Sequence, residues 1–298
     1  MRKIIYLLLL QLFSTAVISQ SNVRLNNYLE IPYYINPASI NYQAASEYSI
    51  VARKQWIGFP GAPSTFFATG TTYIEKYNTQ IGAKVYEDKI GFTNTFNVSI
   101  SYAYSLKIAP DWGLGLGLAA NYQNLSYDLS ELSASDRDNP VFYTKLLNSS
   151  NYNCDLGAQL SNESLTLGMS STNIYSIFFP ENKLQTNSNY LYAKYLNTTL
   201  DPVNIQYGVS AVQTNNTLQM KFSLTSYFKY YRGNDLFQAG IFYRTRSEMG
   251  VLFGVNLNKS IHLWYSFDFN VGGIDRNTIG THEVMLIYDL ARDRTRNY

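Results

Sequence analysis

Few residues in this sequence could carry out chemistry. His262 and His282 are the only histidines, and the segment 281–285 lacks the second histidine that a zinc-protease helix needs. A metal site requires clustered ligands, and the sequence shows no such cluster. A membrane esterase built on serine and histidine would need a nucleophile motif near one of the histidines, and neither has one. The sequence therefore argues against an enzyme and against a bound metal or cofactor.

The single thiol is equally unpromising as a reactive group. Cys154 is the only cysteine, which excludes an intrachain disulfide. In the segment 152–156 it occupies the apolar side of an alternating pattern, so we expect an inert thiol that is buried or in contact with lipid. It also lies far from the signal cleavage site described below, which excludes the usual lipidation of a bacterial lipoprotein.

The elements that must position these residues are strands. From Ile261 to Val271 every odd position is apolar or aromatic, and the even positions are mostly polar. A period of two is typical of a strand with one face in water and the other against lipid or a core. The polar faces also carry charges, which would be costly against lipid and which we expect to be solvated or paired in a lumen, with solute binding as the alternative. These charges are Asp155, Lys221, Lys229, Asp268 and Glu283.

Residues 1–19 have the features of a secretory signal peptide: Arg2 and Lys3, an apolar run, and a small-residue cleavage site that ends at Ser19. No other stretch has the roughly 20 apolar residues of a membrane-spanning helix, so a mature chain in a membrane would cross it as a barrel. Without Arg2 and Lys3 the 23 basic residues become 21, equal to the 21 acidic residues, which gives no electrostatic case for nucleic acid. The 27 tyrosines suit a barrel with aromatic girdles.

The alternating segments predict an all-β chain, a transmembrane outer-membrane β-barrel of about 14 antiparallel strands. The expected organisation is a signal peptide at 1–19, an N-terminal periplasmic lead-in segment at 20–45, the barrel at 46–290 and a C-terminal tail at 291–298. The expected strands are 46–56, 64–75, 79–87, 93–109, 112–129, 151–161, 163–172, 188–197, 202–214, 217–231, 234–246, 248–258, 260–272 and 280–290.

The connections between these segments differ in length in a regular way. The three longest, 130–150, 173–187 and 273–279, all follow odd-numbered segments, whereas the connections after even-numbered segments are mostly short. Outer-membrane barrels pair short periplasmic turns with longer external loops. We therefore expect both termini in the periplasm and the loop 130–150 at the cell surface.

Glycine alternates with leucine in the segment 112–117. No helix follows these glycines, unlike the glycines of a dinucleotide-binding loop. The pattern instead predicts that Gly113, Gly115 and Gly117 face a crowded barrel interior.

The most informative motif is the string RKQWIGFPGAPST, from Arg53 to Thr65. It predicts a strand that ends in an aromatic residue at the membrane interface, then a hairpin loop stiffened by glycine and proline. Together with Ile35-Asn36-Pro37-Ala38, this string resembles the PorP/SprF family of outer-membrane proteins from the type IX secretion system of Bacteroidetes. The resemblance continues in collinear order through the segments 138–142, 167–170, 239–244, 265–268 and 280–286.

One departure from the family pattern concerns the end of the chain. Family members usually stop near the position of Leu290, whereas residues 291–298 follow here. This tail is expected to be a frayed periplasmic end, with a basic contact for a periplasmic partner as the alternative.

The resemblance implies a non-enzymatic outer-membrane accessory of type IX secretion that needs no cofactor. It implies either a link to the periplasmic secretion machinery or a dedicated barrel that helps to secrete or anchor one large adhesin-like substrate at the surface, as in gliding, and the many paralogues of the family favour the dedicated role. The implied partners are outer-membrane lipid, the adhesin-like substrate, and secretion components of the periplasm and outer membrane. The candidate interaction residues are Arg53, Gln55, Trp56, Gly58, Gly61 and Pro63, with the loop 130–150. The motif could equally be structural and pin a hairpin against the barrel mouth. For the whole chain the alternative is an outer-membrane solute channel or hydrophobic-ligand transporter, with a membrane-embedded hydrolase third.

Overall fold

A closed antiparallel barrel is seen in the computed structural model, which describes residues 25–127, 149–178, 186–200, 202–229, 235–245, 248–270 and 278–291. Its strands are β1 (Ala44–Lys54), β2 (Ser64–Ile74), β3 (Thr79–Ile90), β4 (Thr93–Ala109), β5 (Trp112–Tyr127), β6 (Ser149–Ser161), β7 (Leu165–Thr172), β8 (Ser188–Asn197), β9 (Val203–Thr214), β10 (Thr217–Lys229), β11 (Asp235–Arg244), β12 (Glu248–Asn256), β13 (Ile261–Asn270) and β14 (Thr281–Ala291). Within the described residues, each of these fourteen strands pairs with the next, and β1 pairs with β14 to close the barrel. The expected fold class is confirmed.

Helices are a minor part of the described residues. In these ranges, two short 3-10 helices, Pro32–Tyr34 and Glu75–Tyr77, and one α-helix, α1 (Tyr175–Phe178), lie outside the strands. No helix among the described residues is long and apolar enough to cross a membrane.

The strand boundaries depart from the expected ones for identifiable reasons. β1 ends at Lys54 because the chain already turns at Trp56, whose φ is 45°. β3 continues to Ile90, three residues further than expected, because Asp88 pairs with Thr65 of β2 and accepts a hydrogen bond from its hydroxyl at 2.5 Å. Charge thus does not end a strand when the charged side chain faces inward.

The two faces of each strand differ as the period of two predicts. In β4, Ile100 is 65% exposed on the outer surface, whereas the adjacent Ser99 is 2% exposed. In β13, Ser266 and Asp268 are buried and Phe269 is exposed, while the side chain of Asn270 lies outside the described residues. An apolar exterior and a polar interior suit a barrel that stands in a bilayer.

The connections sort by length between the two ends of the barrel. One end, here called the long-connection end, carries among others the connections 55–63, 128–148, 173–187 and 271–280. The opposite end, here called the short-turn end, carries 75–78, 110–111, 162–164, 198–202, 230–234, 257–260 and the start of β1. Most of the loop 130–150 lies outside the described residues. From the loop-length rule, the long-connection end is expected at the cell surface.

Candidate functional site

The chain itself occupies the lumen of the barrel. Residues 25–43, which we call the lumen segment, precede β1 and lie among the inward-facing side chains of the strands. Asn26, Asn36 and Ala38 are each 0% exposed. The sequence predicted a periplasmic position for 20–45, and for the lumen segment the structure differs. The physical reason is that the inward strand faces carry many small side chains, which leave space that a chain segment fills.

The lumen segment runs from one end of the barrel to the other. At the long-connection end, Asn26 contacts Glu283 near the start of β14. Midway, Tyr34 in the 3-10 helix hydrogen-bonds with Ser49 of β1 at 2.7 Å. At the short-turn end, Tyr42 hydrogen-bonds with Ser105 of β4 at 2.8 Å. The segment therefore connects the two ends through the interior.

Polar side chains of the barrel wall hydrogen-bond to the backbone of the lumen segment. An irregular segment has carbonyls that no strand partner satisfies, and burial without partners would be costly. Among the described residues the wall donates to six of them, one of which is the Asn26 carbonyl described below with the ionic cluster. The other five contacts are Lys84 to the Tyr34 carbonyl at 3.2 Å, Lys194 to Leu29 at 3.1 Å, Gln80 to Ser39 at 2.7 Å, Ser170 to Ile35 at 2.6 Å and Arg244 to Leu25 at 3.4 Å. The inward polar face is thus a set of donors for a peptide rather than only a solvated surface.

The Asn36-Pro37-Ala38 motif packs against glycines of β5 and β6. A Cβ atom at Gly117 or Gly115 would overlap the backbone of Ala38, and one at Gly157 would overlap the Asn36 side chain. The Asn36 amide donates to the hydroxyl of Tyr192 and to a carbonyl of β6, both at 3.0 Å. The expectation of glycines facing a crowded interior is confirmed; the crowding comes from this motif at Gly115 and Gly117 and from the Tyr42 side chain at Gly113.

A buried ionic cluster fixes the segment at the long-connection end. Arg53 is 3% exposed, and its guanidinium lies 3.1 Å from Glu283 and 3.4 Å from Asp268. Glu283, which is 0% exposed, also accepts the backbone N–H groups of Asn26 at 2.7 Å and Asn27 at 2.9 Å. A buried ion pair is stable only when further hydrogen bonds compensate its desolvation, and these N–H groups provide them.

Two further cations, on the nearby strands β10 and β11, hold Asn26. Lys221 donates to its backbone carbonyl, and Arg244 donates to its side-chain oxygen at 3.0 Å. The Asn26 amide in turn donates to Asp268 at 2.5 Å. The Lys221 ammonium also lies 4.8 Å from the ring centre of Phe242, a favourable cation–π distance. Three of the five lumen charges foreseen in the sequence, Lys221, Asp268 and Glu283, therefore meet at Asn26, whereas Asp155 accepts hydrogen bonds from Asn121 and Asn173.

The candidate interaction motif is divided between two places. Arg53 belongs to the interior cluster, so its side chain is an anchor for the lumen segment and is not available at the surface. The remaining candidates, Gln55, Trp56, Gly58, Gly61 and Pro63, lie in or beside the β1–β2 connection. Their role in binding a partner remains a prediction.

Backbone contacts define the shape of the β1–β2 connection. Gln55 N–H donates to the Pro63 carbonyl at 2.9 Å, and Ile57 exchanges two backbone hydrogen bonds with residues 279 and 280, just before β14. Gly58 and Gly61 have φ values of 96° and 70°, a region that favours glycine. Trp56 also has positive φ, which is uncommon for a bulky residue. The connection is thus a tied loop in which Phe59 is 52% exposed.

The two histidines contact neighbouring side chains, and the cysteine lies on the outer surface of the barrel. Within the described ranges, no three His, Cys, Asp or Glu side chains are grouped so as to hold a metal ion. His282 Nδ1 lies 2.7 Å from the Tyr265 hydroxyl, and His262 Nδ1 lies 2.7 Å from the Asn256 amide oxygen. Cys154 is exposed on the outer, lipid-facing side of β6, which is one of the two positions expected from the sequence.

Sequence reasoning missed the partners of the lumen segment. Asn26, Tyr192 and Arg244 carried no signal of their own, because each contacts a residue more than a hundred positions away. The glycine alternation in β5 was the one available signal, since it indicated a close approach without naming the approaching chain.

Comparisons with known proteins agree with this architecture. A family model described as "Type IX secretion system membrane protein PorP/SprF" matches residues 17–288. No curated protein matches the chain. Among solved structures, the CymD monoaromatic hydrocarbon channel aligns with a TM-score of 0.53 at 10% identity, over 92% of this chain and 95% of that one. A TodX ΔS2S3 mutant, also a monoaromatic hydrocarbon channel, aligns with a TM-score of 0.52 at 8% identity, over 91% and 95%. At these identities the likeness concerns the fold.

Proposed function

The chain belongs to the PorP/SprF family of type IX secretion system membrane proteins, and from that premise we propose that it is a non-enzymatic, closed accessory barrel that helps to secrete or anchor one large adhesin-like protein at the cell surface. The family and the barrel fold put it in the outer membrane with a role in type IX secretion. The adhesin-like substrate and the lack of catalysis are the parts that we propose.

The observation that carries this proposal is the occupied lumen. The lumen segment crosses the barrel and is held by polar contacts at both ends and in the middle. Its Tyr34 and Leu29 carbonyls also accept hydrogen bonds from Lys84 of β3 and Lys194 of β8. A path for solutes would require these contacts to break together, so a role that uses the barrel as a fixed platform is favoured.

Contact with the substrate is proposed at the long-connection end. The β1–β2 connection there presents Phe59 to solvent and is tied to the chain before β14, so it offers a defined surface. Exposed aromatic side chains on a rigid loop are typical anchors of protein interfaces. The loop 130–150 belongs to the same end and is proposed as the second contact.

The main experiment deletes the gene and compares surface proteins by mass spectrometry. We expect the loss of one or a few large adhesins, with bulk type IX export and growth unchanged. A complementing variant, Trp56→Ala with Phe59→Ala, should reproduce that loss while the barrel remains in the outer membrane at normal level. Its matched control is Tyr77→Ala, which removes an aromatic residue that is 60% exposed at the opposite end. An unchanged surface proteome in the deletion strain would reject the proposal.

The alternative is an outer-membrane channel for solutes or hydrophobic ligands. Its support is the fold that the chain shares with proteins named as hydrocarbon channels. Liposome swelling with the purified barrel separates the two functions, because a closed accessory passes no sugars. Swelling at the rate of a general porin would favour the channel.

The orientation of the barrel is open to a direct test. An epitope inserted at Ser135, within the loop 130–150, should be detected on intact cells if the long-connection end faces outward. Detection only after the outer membrane is permeabilised would reverse the topology and remove the proposed contact surface from the substrate.

A further inference from the structure

A cavity of about 840 Å³ lies at the short-turn end, and we call it the vestibule. Its rim includes the turn residues 110–112 and 162–164, and its wall includes Glu47 of β1 and Asp289 of β14. The lumen segment contributes Glu30 and Tyr42 to the lining. The volume is within the range of about 300–1,000 Å³ that ligand pockets have.

The vestibule carries an excess of negative charge. Its described lining holds five carboxylates and two lysines. The carboxylates are Glu30, Glu47, Asp111, Glu163 and Asp289, and the lysines are Lys107 and Lys194. One of these lysines, Lys194, already donates to the Leu29 carbonyl at 3.1 Å.

The three carboxylates of the inner lining lack a basic partner from Lys or Arg. Glu30 accepts hydrogen bonds from Gln206 and Tyr227, and Glu47 accepts one from Asn41. Asp289 lies 3.4 Å from His262, which is charged only when protonated. Among the described residues no lysine or arginine forms an ion pair with any of the three.

An independent observation is a buried acceptor that lacks a partner. Gln238 lines the vestibule and is 2% exposed, yet its amide oxygen makes no hydrogen bond. One carboxylate oxygen of Asp289, Oδ1, is likewise buried without a partner. Buried acceptors in native proteins are nearly always satisfied, so these two are open to a donor from outside the chain, either a water molecule or a ligand.

Aromatic side chains also line the vestibule, among them Tyr42, Tyr73, Trp112 and Trp264. Carboxylates and aromatic faces together bind guanidinium and ammonium groups, through charge-assisted hydrogen bonds and cation–π contacts. An acidic ligand would be repelled by these carboxylates.

We propose that the vestibule is a docking site for an Arg- or Lys-bearing peptide segment of a periplasmic partner protein. The cation binds between Glu47 and Asp289 and comes within reach of Glu30 on the lumen segment. This inference goes beyond the proposed function, because it concerns the end of the barrel opposite the substrate-binding loops.

The experiment measures peptide binding to the purified full-length barrel in detergent by fluorescence anisotropy. The probe is a fluorescein-labelled hexapeptide of alternating glycine and arginine. The double variant Glu47→Gln with Asp289→Asn should bind it about tenfold more weakly, as expected when charge-assisted hydrogen bonds are lost. The control Glu75→Gln removes the same charge from a turn at the same end that does not line the vestibule, and it should bind like the unmodified barrel.

Several outcomes would overturn the proposal. Equal weakening by Glu75→Gln would show general attraction to an acidic surface, and equal binding of a glycine–glutamate hexapeptide would exclude recognition of a cation. Tighter binding after truncation at Ala291 would identify the chain's own basic residues, Arg292, Arg294 and Arg296, as the occupant in place of a partner.

A second measurement does not depend on a variant that folds. Zero-length carbodiimide crosslinking of the unmodified barrel to a glycine–lysine hexapeptide joins the lysine amine to a nearby carboxylate, and mass spectrometry locates the bond. Crosslinks at Glu47 or Asp289 support the proposal. Crosslinks at Glu75 in their place contradict it.

Discussion

The two ends of the lumen use the same residue types in opposite ways. At the long-connection end, the carboxylate of Glu283 receives a guanidinium and two backbone N–H groups. At the short-turn end, the carboxylate of Asp289 has one weak histidine contact and a buried oxygen with no partner. The difference teaches that a carboxylate which receives several donors from the chain serves as an anchor, whereas one that receives few is left open to other donors.

Not every buried polar atom at the long-connection end has a hydrogen-bond partner. Arg53 Nε and the side-chain amide of Asn27 are buried without partners there. The carboxylates are nevertheless satisfied, and they join β1, β13 and β14 to the lumen segment. We therefore interpret this end as a structural lock and the vestibule as a binding site.

The largest expected effect comes from a substitution that breaks the ionic cluster at the long-connection end. Glu283→Ala leaves two N–H groups buried without their acceptor and the Arg53 guanidinium with Asp268 alone, at 3.4 Å. Loss of one partner of a buried ion pair costs about 3–5 kcal/mol. We expect a clearly lower unfolding temperature of the barrel, measured by heat-modifiable migration on gels. The control is the double variant Arg53→Met with Glu283→Leu, which removes both charges and should regain part of the stability. A double variant that is no more stable than the single one would contradict the lock.

A smaller loss of stability is expected from a substitution in the middle of the lumen, where the Asn36-Pro37-Ala38 motif packs on β5. Gly117→Val places a side chain where the backbone of Ala38 now lies, and overpacking of this kind costs about 1–3 kcal/mol. The matched control is Ala120→Val on the same strand, because Ala120 is exposed on the lipid side. The variant should unfold at a lower temperature and show higher ion conductance in planar bilayers, because the lumen segment is displaced. Equal behaviour of the two variants would mean that the segment does not pack on β5.

At the short-turn end, removal of a carboxylate should have little effect on the stability of the barrel. Asp289→Asn removes a carboxylate whose described ionic partner is His262 at 3.4 Å. Partly exposed pairs of this kind contribute about 0–1 kcal/mol, so the unfolding temperature should change only slightly. A loss as large as that of Glu283→Ala would show that both ends are locks and would remove the contrast.

The fold was predictable because its information is local. Alternation along β4 and β13 fixes which side chains face inward, and it needs no knowledge of the rest of the chain. The path of the lumen segment was not predictable in the same way. The contact between Arg53 and Glu283 joins residues 230 positions apart, and that between Asn36 and Ala158 spans 122. A single sequence shows that a charged or polar residue such as Arg53 or Asn36 is unusual among its neighbours. It does not show which distant group forms its hydrogen bonds.

The smallest expected change in stability gives the sharpest test of the contrast. Gln238→Leu replaces a buried amide, whose oxygen has no partner, by an apolar side chain of similar size. Removal of an unsatisfied buried acceptor can be neutral or slightly stabilising, so the free energy of unfolding should stay within about 0.5 kcal/mol of that of the unmodified barrel or increase. Binding of the arginine hexapeptide should weaken in the same variant, because an acceptor in the vestibule has been lost. A residue that affects binding and not stability has the signature of a recognition site. A variant that unfolds readily yet still binds the peptide would instead make Gln238 part of the barrel's framework.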